Sequence, residues 1–120
     1  MSNATGDCYE AAANLFLMMC EYGRNEENVQ NLRLVHAEVE GQGPVEGVRF
    51  GHAFVLLVDE DRVLDFSNGG KVFMSRDKYY RLGRIDEINN VKEYNFDEAY
   101  RFLVECETYG PWDLVTSTGL

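Results

Sequence analysis

Proline and histidine are scarce in this chain, with two of each in 120 residues. The two prolines, Pro44 and Pro111, are far apart, and no Pro/Ser-rich linker, low-complexity segment or internal repeat divides the sequence. The chain therefore reads as a single domain over residues 1–120, and its 45% hydrophobic content supplies one core. The three cysteines, Cys8, Cys20 and Cys106, are odd in number and widely spaced. That excludes a disulfide framework and the paired spacing of a zinc site, so no metal and no cofactor are expected. No run approaches the roughly 20 apolar residues of a membrane-spanning helix, and MSNATGDC lacks the basic and apolar regions of a signal peptide. A cytoplasmic protein with reduced thiols is expected. Basic residues are also few: 11 against 21 acidic ones, a formal net charge of -10. Such a surface repels phosphate backbones and anionic lipid, which argues against nucleic acid and membranes as partners.

What is present begins with a helix. Asp7 and Glu10 have capping-box spacing, Gly23 is a natural stop, and Cys8, Ala12, Leu15, Met19 and Tyr22 recur on one helical face. Ala11, Ala13, Phe16, Leu17 and Met18 extend the apolar surface around most of the circumference, so the helix from about Cys8 to Tyr22 belongs at the centre of the fold. From Leu32 to Glu40, Val35, Ala37 and Val39 alternate with His36, Glu38 and Glu40, the pattern of a half-exposed strand. Gly41 to Gly51 holds four glycines and a proline and reads as a loop with hinge freedom, a lid over any site beside it.

His52 to Val58 is apolar on both faces and reads as a central strand, with Arg62 to Phe66 as its hairpin partner. Shorter strands follow at Lys71 to Met74 and near Val91 to Tyr94. A closing helix begins near Asp97, carries Ala99, Phe102, Leu103 and Cys106, and ends at Gly110-Pro111. This order is α+β.

The start of a helix favours negative charge, so a thiol at Cys8 is placed to react as thiolate. Cys20 and Cys106 lie deep in their helices and read as structural. His52 opens the central strand, where its ring faces the start of a helix packed on that sheet; this is where a base for Cys8 is needed. His36 shares the polar side of its strand with Glu38 and Glu40 and reads as solvated or ion-paired.

Gly6-Asp7-Cys8 at a helix start, Gly51-His52-Ala53-Phe54 opening a strand, and Val63-Leu64-Asp65 on the next strand together resemble the transglutaminase-like branch of the papain-like cysteine hydrolases. Phe54 stands where that family usually has Trp, and no proline follows Asp65. The resemblance implies a papain-like fold with a transglutaminase-like core: an N-terminal nucleophile helix packed on an antiparallel sheet, and a closing C-terminal helix. It further implies a Cys8-His52-Asp65 triad that cleaves an amide, peptide or isopeptide bond of a peptide or protein through a thioester. Asn3 is the amide available ahead of Cys8 as an oxyanion donor, with backbone N–H groups at the helix start as the alternative. The family also contains transferases, deamidases and members that have lost catalysis, which leaves a non-catalytic binding module of the same fold as the second expectation.

The hairpin turn decides which residue orients His52. A two-residue turn at Asp59-Glu60 brings Asp65 opposite Phe54, on the face of His52; a three-residue turn puts Asn68 opposite His52 and turns Asp65 away. Asp65 is favoured, because a carboxylate holds an imidazolium more strongly than a neutral amide does.

Overall fold

Helix α1 (Ala4–Gly23) carries apolar residues around most of its girth, and it lies against the sheet with Ala13 and Phe16 fully buried. A computed structural model of the chain describes residues 4–23, 26–41, 43–67, 70–86 and 90–116. After α1 come a short helix α2 (Glu26–Gln30) and three strands: β1 (Leu32–Glu40), β2 (Arg49–Leu57) and β3 (Arg62–Asp65). Strand β4 (Val72–Ser75), helix α3 (Arg76–Leu82), strand β5 (Val91–Tyr94) and helix α4 (Phe96–Cys106) complete the order. The fold is α+β: one five-stranded antiparallel sheet, ordered β4-β3-β2-β1-β5, and four helices among the described residues. None of these helices is long and apolar enough to cross a membrane.

The two central strands are covered on both sides. Leu32 and Leu34 of β1 and Ala53 and Val55 of β2 pack with Cys8, Tyr9, Ala12, Leu15 and Phe16 of α1. Val29 of α2 and Phe96, Ala99 and Phe102 of α4 join the same core. Val35, Ala37, Phe54, Leu56 and Val63 point the other way and pack with Tyr79, Tyr80 and Ile85, in and beside α3. Double coverage explains why β2 reads as an unbroken apolar run, as expected of a strand with no wet face.

Several boundaries differ from those the sequence suggests. Helix α1 begins at Ala4, a turn earlier than a cap at Asp7 allows, and β2 begins at Arg49, so His52 is its fourth residue. Arg76–Leu82 is a helix capped by Ser75, whose Oγ accepts from the Lys78 N–H. Helix α4 starts behind a complete capping box of Asn95 and Glu98. It stops at Cys106 because Glu107 turns left-handed with φ 55°, before Gly110-Pro111 is reached. The glycine loop contains a 3-10 turn at Gly43–Val45 and lines a recess with Glu40, Leu82 and Arg84, so its described part borders that recess.

The polar residues of β1 correct a larger expectation: neither His36 nor Glu38 is solvated, and both are fully buried. Glu38 is ion-paired instead. Its Oε2 accepts from Arg49 Nε at 2.7 Å and its Oε1 from Asn90 Nδ2 at 2.7 Å. His36 stands among the rings of Tyr9, Tyr94 and Trp112, with centroids 4.8 to 5.1 Å away. Neither of its ring nitrogens has a hydrogen-bond partner among the described residues. Gly110 closes this cage at φ 131°, where a Cβ would lie 2.6 Å from His36 Cε1.

Burial pulls the pKa of His36 down to about 3. A depressed folded-state value means that the unfolded chain binds the extra proton between about pH 6.5 and 3, so stability falls as the pH drops through that window. The loss reaches roughly 4 kcal/mol at its acid end. His36→Phe fits the aromatic surroundings and removes the unpaired nitrogens. Thermal melts of the variant should show a markedly flatter decline from pH 6.5 to 4 than those of the parent, and parallel curves would contradict a buried neutral His36.

Candidate active site

The hairpin between β2 and β3 sets the site. The Asp61 N–H donates to the Val58 carbonyl, which leaves Asp59 and Glu60 as a two-residue turn. Val55 lies opposite Leu64 and Leu56 opposite Val63, the register in which Asp65 comes opposite Phe54. His52 shares the side of Phe54 two residues away. Its Nε2 meets Asp65 Oδ2 at 2.8 Å. Asn68, the alternative orienting residue, and Asn3, the possible oxyanion donor, lie outside the described residues.

Strand β3 pairs with β2 only from Val55 to Leu57. The part of β2 that carries His52 has β1 as its ladder partner. Cys8 is hydrogen-bonded to the His52 ring. With Nε2 engaged by Asp65, the nitrogen left for the sulfur is Nδ1. The three residues singled out in the sequence are thus brought together in the order Cys8, His52, Asp65. Cys20 and Cys106 lie elsewhere, the first buried in the α1 core and the second exposed; burial alone pushes the Cys20 thiol up to about 11.

Burial works against charge at His52, but the hydrogen bonds to Asp65 and Cys8, with the negative charge of both, outweigh it and raise the imidazole to about 9. Burial likewise opposes ionisation of Asp65, and again the contacts win. Bonds from His52, Tyr79 and Ser67 hold its carboxyl well below the usual carboxylate range. Near neutral pH the pair is therefore imidazolium and carboxylate, each 11% exposed at the side chain. A buried ion pair of this kind is tolerable only when its remaining hydrogen-bond capacity is met.

Asp65 meets that condition through two residues that pattern reading of the sequence does not assign to the site. Oδ1 accepts from the Ser67 N–H at 3.0 Å and from Ser67 Oγ at 2.7 Å. Oδ2 accepts from Tyr79 Oη at 2.5 Å in addition to His52. Burial, then the Asp65 charge, pushes the Tyr79 phenol far above its ordinary value, so it stays a donor. The aromatic cluster Arg76 to Tyr80 is the only sequence signal for Tyr79. In the aromatic stretch Tyr109 to Asp113, Trp112 packs on Phe102, Tyr94 and His36.

The helix dipole does less for Cys8 than its sequence position suggests. Because α1 starts at Ala4, the unsatisfied N–H groups belong to the turn before Cys8, and the dipole effect fades within a turn. Among the described residues no group of three His, Cys, Asp or Glu side chains is arranged to hold a metal ion. Comparison of the chain with family models, with curated proteins and with solved structures gives no match, so a functional reading rests on the geometry of Cys8, His52 and Asp65.

Proposed function

We propose that the protein is a thiol-dependent hydrolase of the transglutaminase-like and papain-like kind, acting on an amide, peptide or isopeptide bond of a peptide or protein in the cytoplasm. The observation that carries this reading is the hydrogen-bonded series from Cys8 through His52 to Asp65, with His52 Nε2 2.8 Å from Asp65 Oδ2. A charged imidazole between a thiol and a carboxylate stabilises a thiolate and is already loaded with the proton that a leaving amine needs.

The reaction follows from those charges. Cys8 Sγ forms a bond to the carbonyl carbon; the C–N bond then breaks as His52 gives its proton to the leaving nitrogen, and a thioester remains. Neutral His52 next takes a proton from water, whose oxygen attacks the thioester carbon. The C–S bond breaks, the acid departs, and the thiolate-imidazolium pair is restored. Asp65 holds the ring in the orientation that both transfers require.

Cys8 is only 1% exposed. That favours, as a second reading, a binding module of the same architecture in which the thiol is structural. In the hydrolase reading, neighbouring side chains must shift to admit a carbonyl. A small activated ester, p-nitrophenyl acetate, separates the two. The hydrolase should release nitrophenolate in a burst stoichiometric with protein and carry the acetyl group on Cys8, and His52→Ala should remove the burst. Release no faster in the parent than in Cys8→Ala would exclude the hydrolase.

A further inference from the structure

We propose that Tyr79 is a positioning residue whose hydroxyl, bonded to the same Asp65 oxygen that receives the His52 N–H, limits how tightly the His52 imidazolium is held. The inference rests on reading Cys8, His52 and Asp65 as a hydrolase site.

Two donors converge on Asp65 Oδ2: His52 Nε2 at 2.8 Å and Tyr79 Oη at 2.5 Å. The second lies at the short end of charge-assisted O–H···O bonds and draws on electron density that would otherwise go wholly to the imidazolium. The arrangement is built into the fold. The Tyr79 ring packs on Phe54 with centroids 4.8 Å apart, and the Tyr79 carbonyl accepts the Gly83 N–H at 3.0 Å. Ser75 caps the helix that carries the ring. Ser67 fixes the other carboxylate oxygen with two bonds of its own, so Asp65 cannot turn to evade Tyr79.

The chemical need is plain. An imidazolium must be held well enough to keep its position yet release its proton to a leaving amine, and general acids work best with pKa values near the working pH. The groups that face His52 are few: Cys8 from α1, Asp65 from β3 and, through Asp65, Tyr79 from α3. Its ring neighbours on β2 are Phe50 and Phe54, and its β1 partner is Ala37, none of them titratable. Tyr79 is thus the one donor that competes with His52 for Oδ2 among the described residues.

The test is Tyr79→Phe, which keeps the ring on Phe54 and removes only the hydroxyl, with His52 followed by proton NMR against pH. The His36→Phe background leaves a single histidine signal. The His52 midpoint should rise by roughly half a unit or more, because Asp65 Oδ2 then accepts from His52 alone. The alkaline limb of ester acylation should move with it. Tyr80→Phe alters the same helix and should leave the midpoint in place. An unchanged or lowered midpoint in Tyr79→Phe, or an equal rise in Tyr80→Phe, overturns the inference. The two readings fail separately. Acylation with an unmoved midpoint removes the role of Tyr79 alone, whereas a moved midpoint without any acylation removes the hydrolase and the role with it.

Discussion

Cys8→Ala is expected to abolish hydrolysis, with turnover falling by a factor on the order of 10⁴ to 10⁶, while the protein stays folded. The size follows from the covalent catalysis proposed: without the sulfur no thioester could form, and His52 and Asp65 would have no nucleophile to serve. Folding should survive because the change removes one small atom from a helix of 20 residues whose other buried side chains, Ala12, Ala13, Leu15 and Phe16 among them, are untouched. A void of that size costs roughly 1 kcal/mol. The same variant carries a readout that needs no substrate. Cys8 raises His52 both by hydrogen bonding and by charge, so its removal should lower the His52 midpoint from about 9. Full turnover by Cys8→Ala would show that the nucleophile lies elsewhere; an unmoved His52 titration would show that thiol and imidazole do not communicate.

What was legible in the sequence depended on how local the cause was. The hairpin of β2 and β3 is specified by a short acidic turn between two apolar runs, but the residue order allows a two- or a three-residue turn, and the register is decided by the Asp61 N–H bond to the Val58 carbonyl. Strict alternation then fixes the side on which Asp65 falls. Helix α1 is equally local, since its apolar girth is visible in the residue order. By contrast, His36 and Glu38 alternate with apolar neighbours and so imitate a solvated face. Their burial comes from elements far along the chain: Asn90 and Arg49 reach Glu38, while Tyr94, Gly110 and Trp112 enclose His36. Tyr79 was hidden for the same reason. Helix α3 is seven residues long, too short to display a full periodic pattern, and the use of its hydroxyl depends on where Asp65 lies.

Asp65 should separate orientation from charge, and the two substitutions that test it differ in kind. Both its oxygens accept two donors: Oδ1 from Ser67 N–H and Oγ, Oδ2 from His52 and Tyr79. Asp65→Ala leaves all four donors facing a vacated, mostly buried space, so stability should fall by roughly 3 kcal/mol along with activity. Asp65→Asn keeps the shape but not the charge, and whichever way the amide turns, its NH2 group meets donors. Its better orientation aims the carbonyl at His52 and Tyr79, because the Ser67 hydroxyl can rotate to accept. Turnover should therefore fall by about 10²-fold in the Asn variant and by about 10³- to 10⁴-fold in the Ala variant. Asn68→Ala should cost less than either. The pH dependence of stability supplies an independent sign. His52, raised in the fold, contributes stability that is complete below about pH 6.5 and is lost as pH rises toward 9; Asp65, depressed in the fold, contributes stability that is lost only as pH falls below about 4. Removing the Asp65 charge ends the Asp65 contribution and weakens that of His52, which Cys8 still raises, so the melting temperature of Asp65→Asn should decline less than the parent's between pH 6.5 and 9. A decline as steep as the parent's, or a heavier loss of turnover in Asn68→Ala than in Asp65→Ala, would move the orienting role away from Asp65.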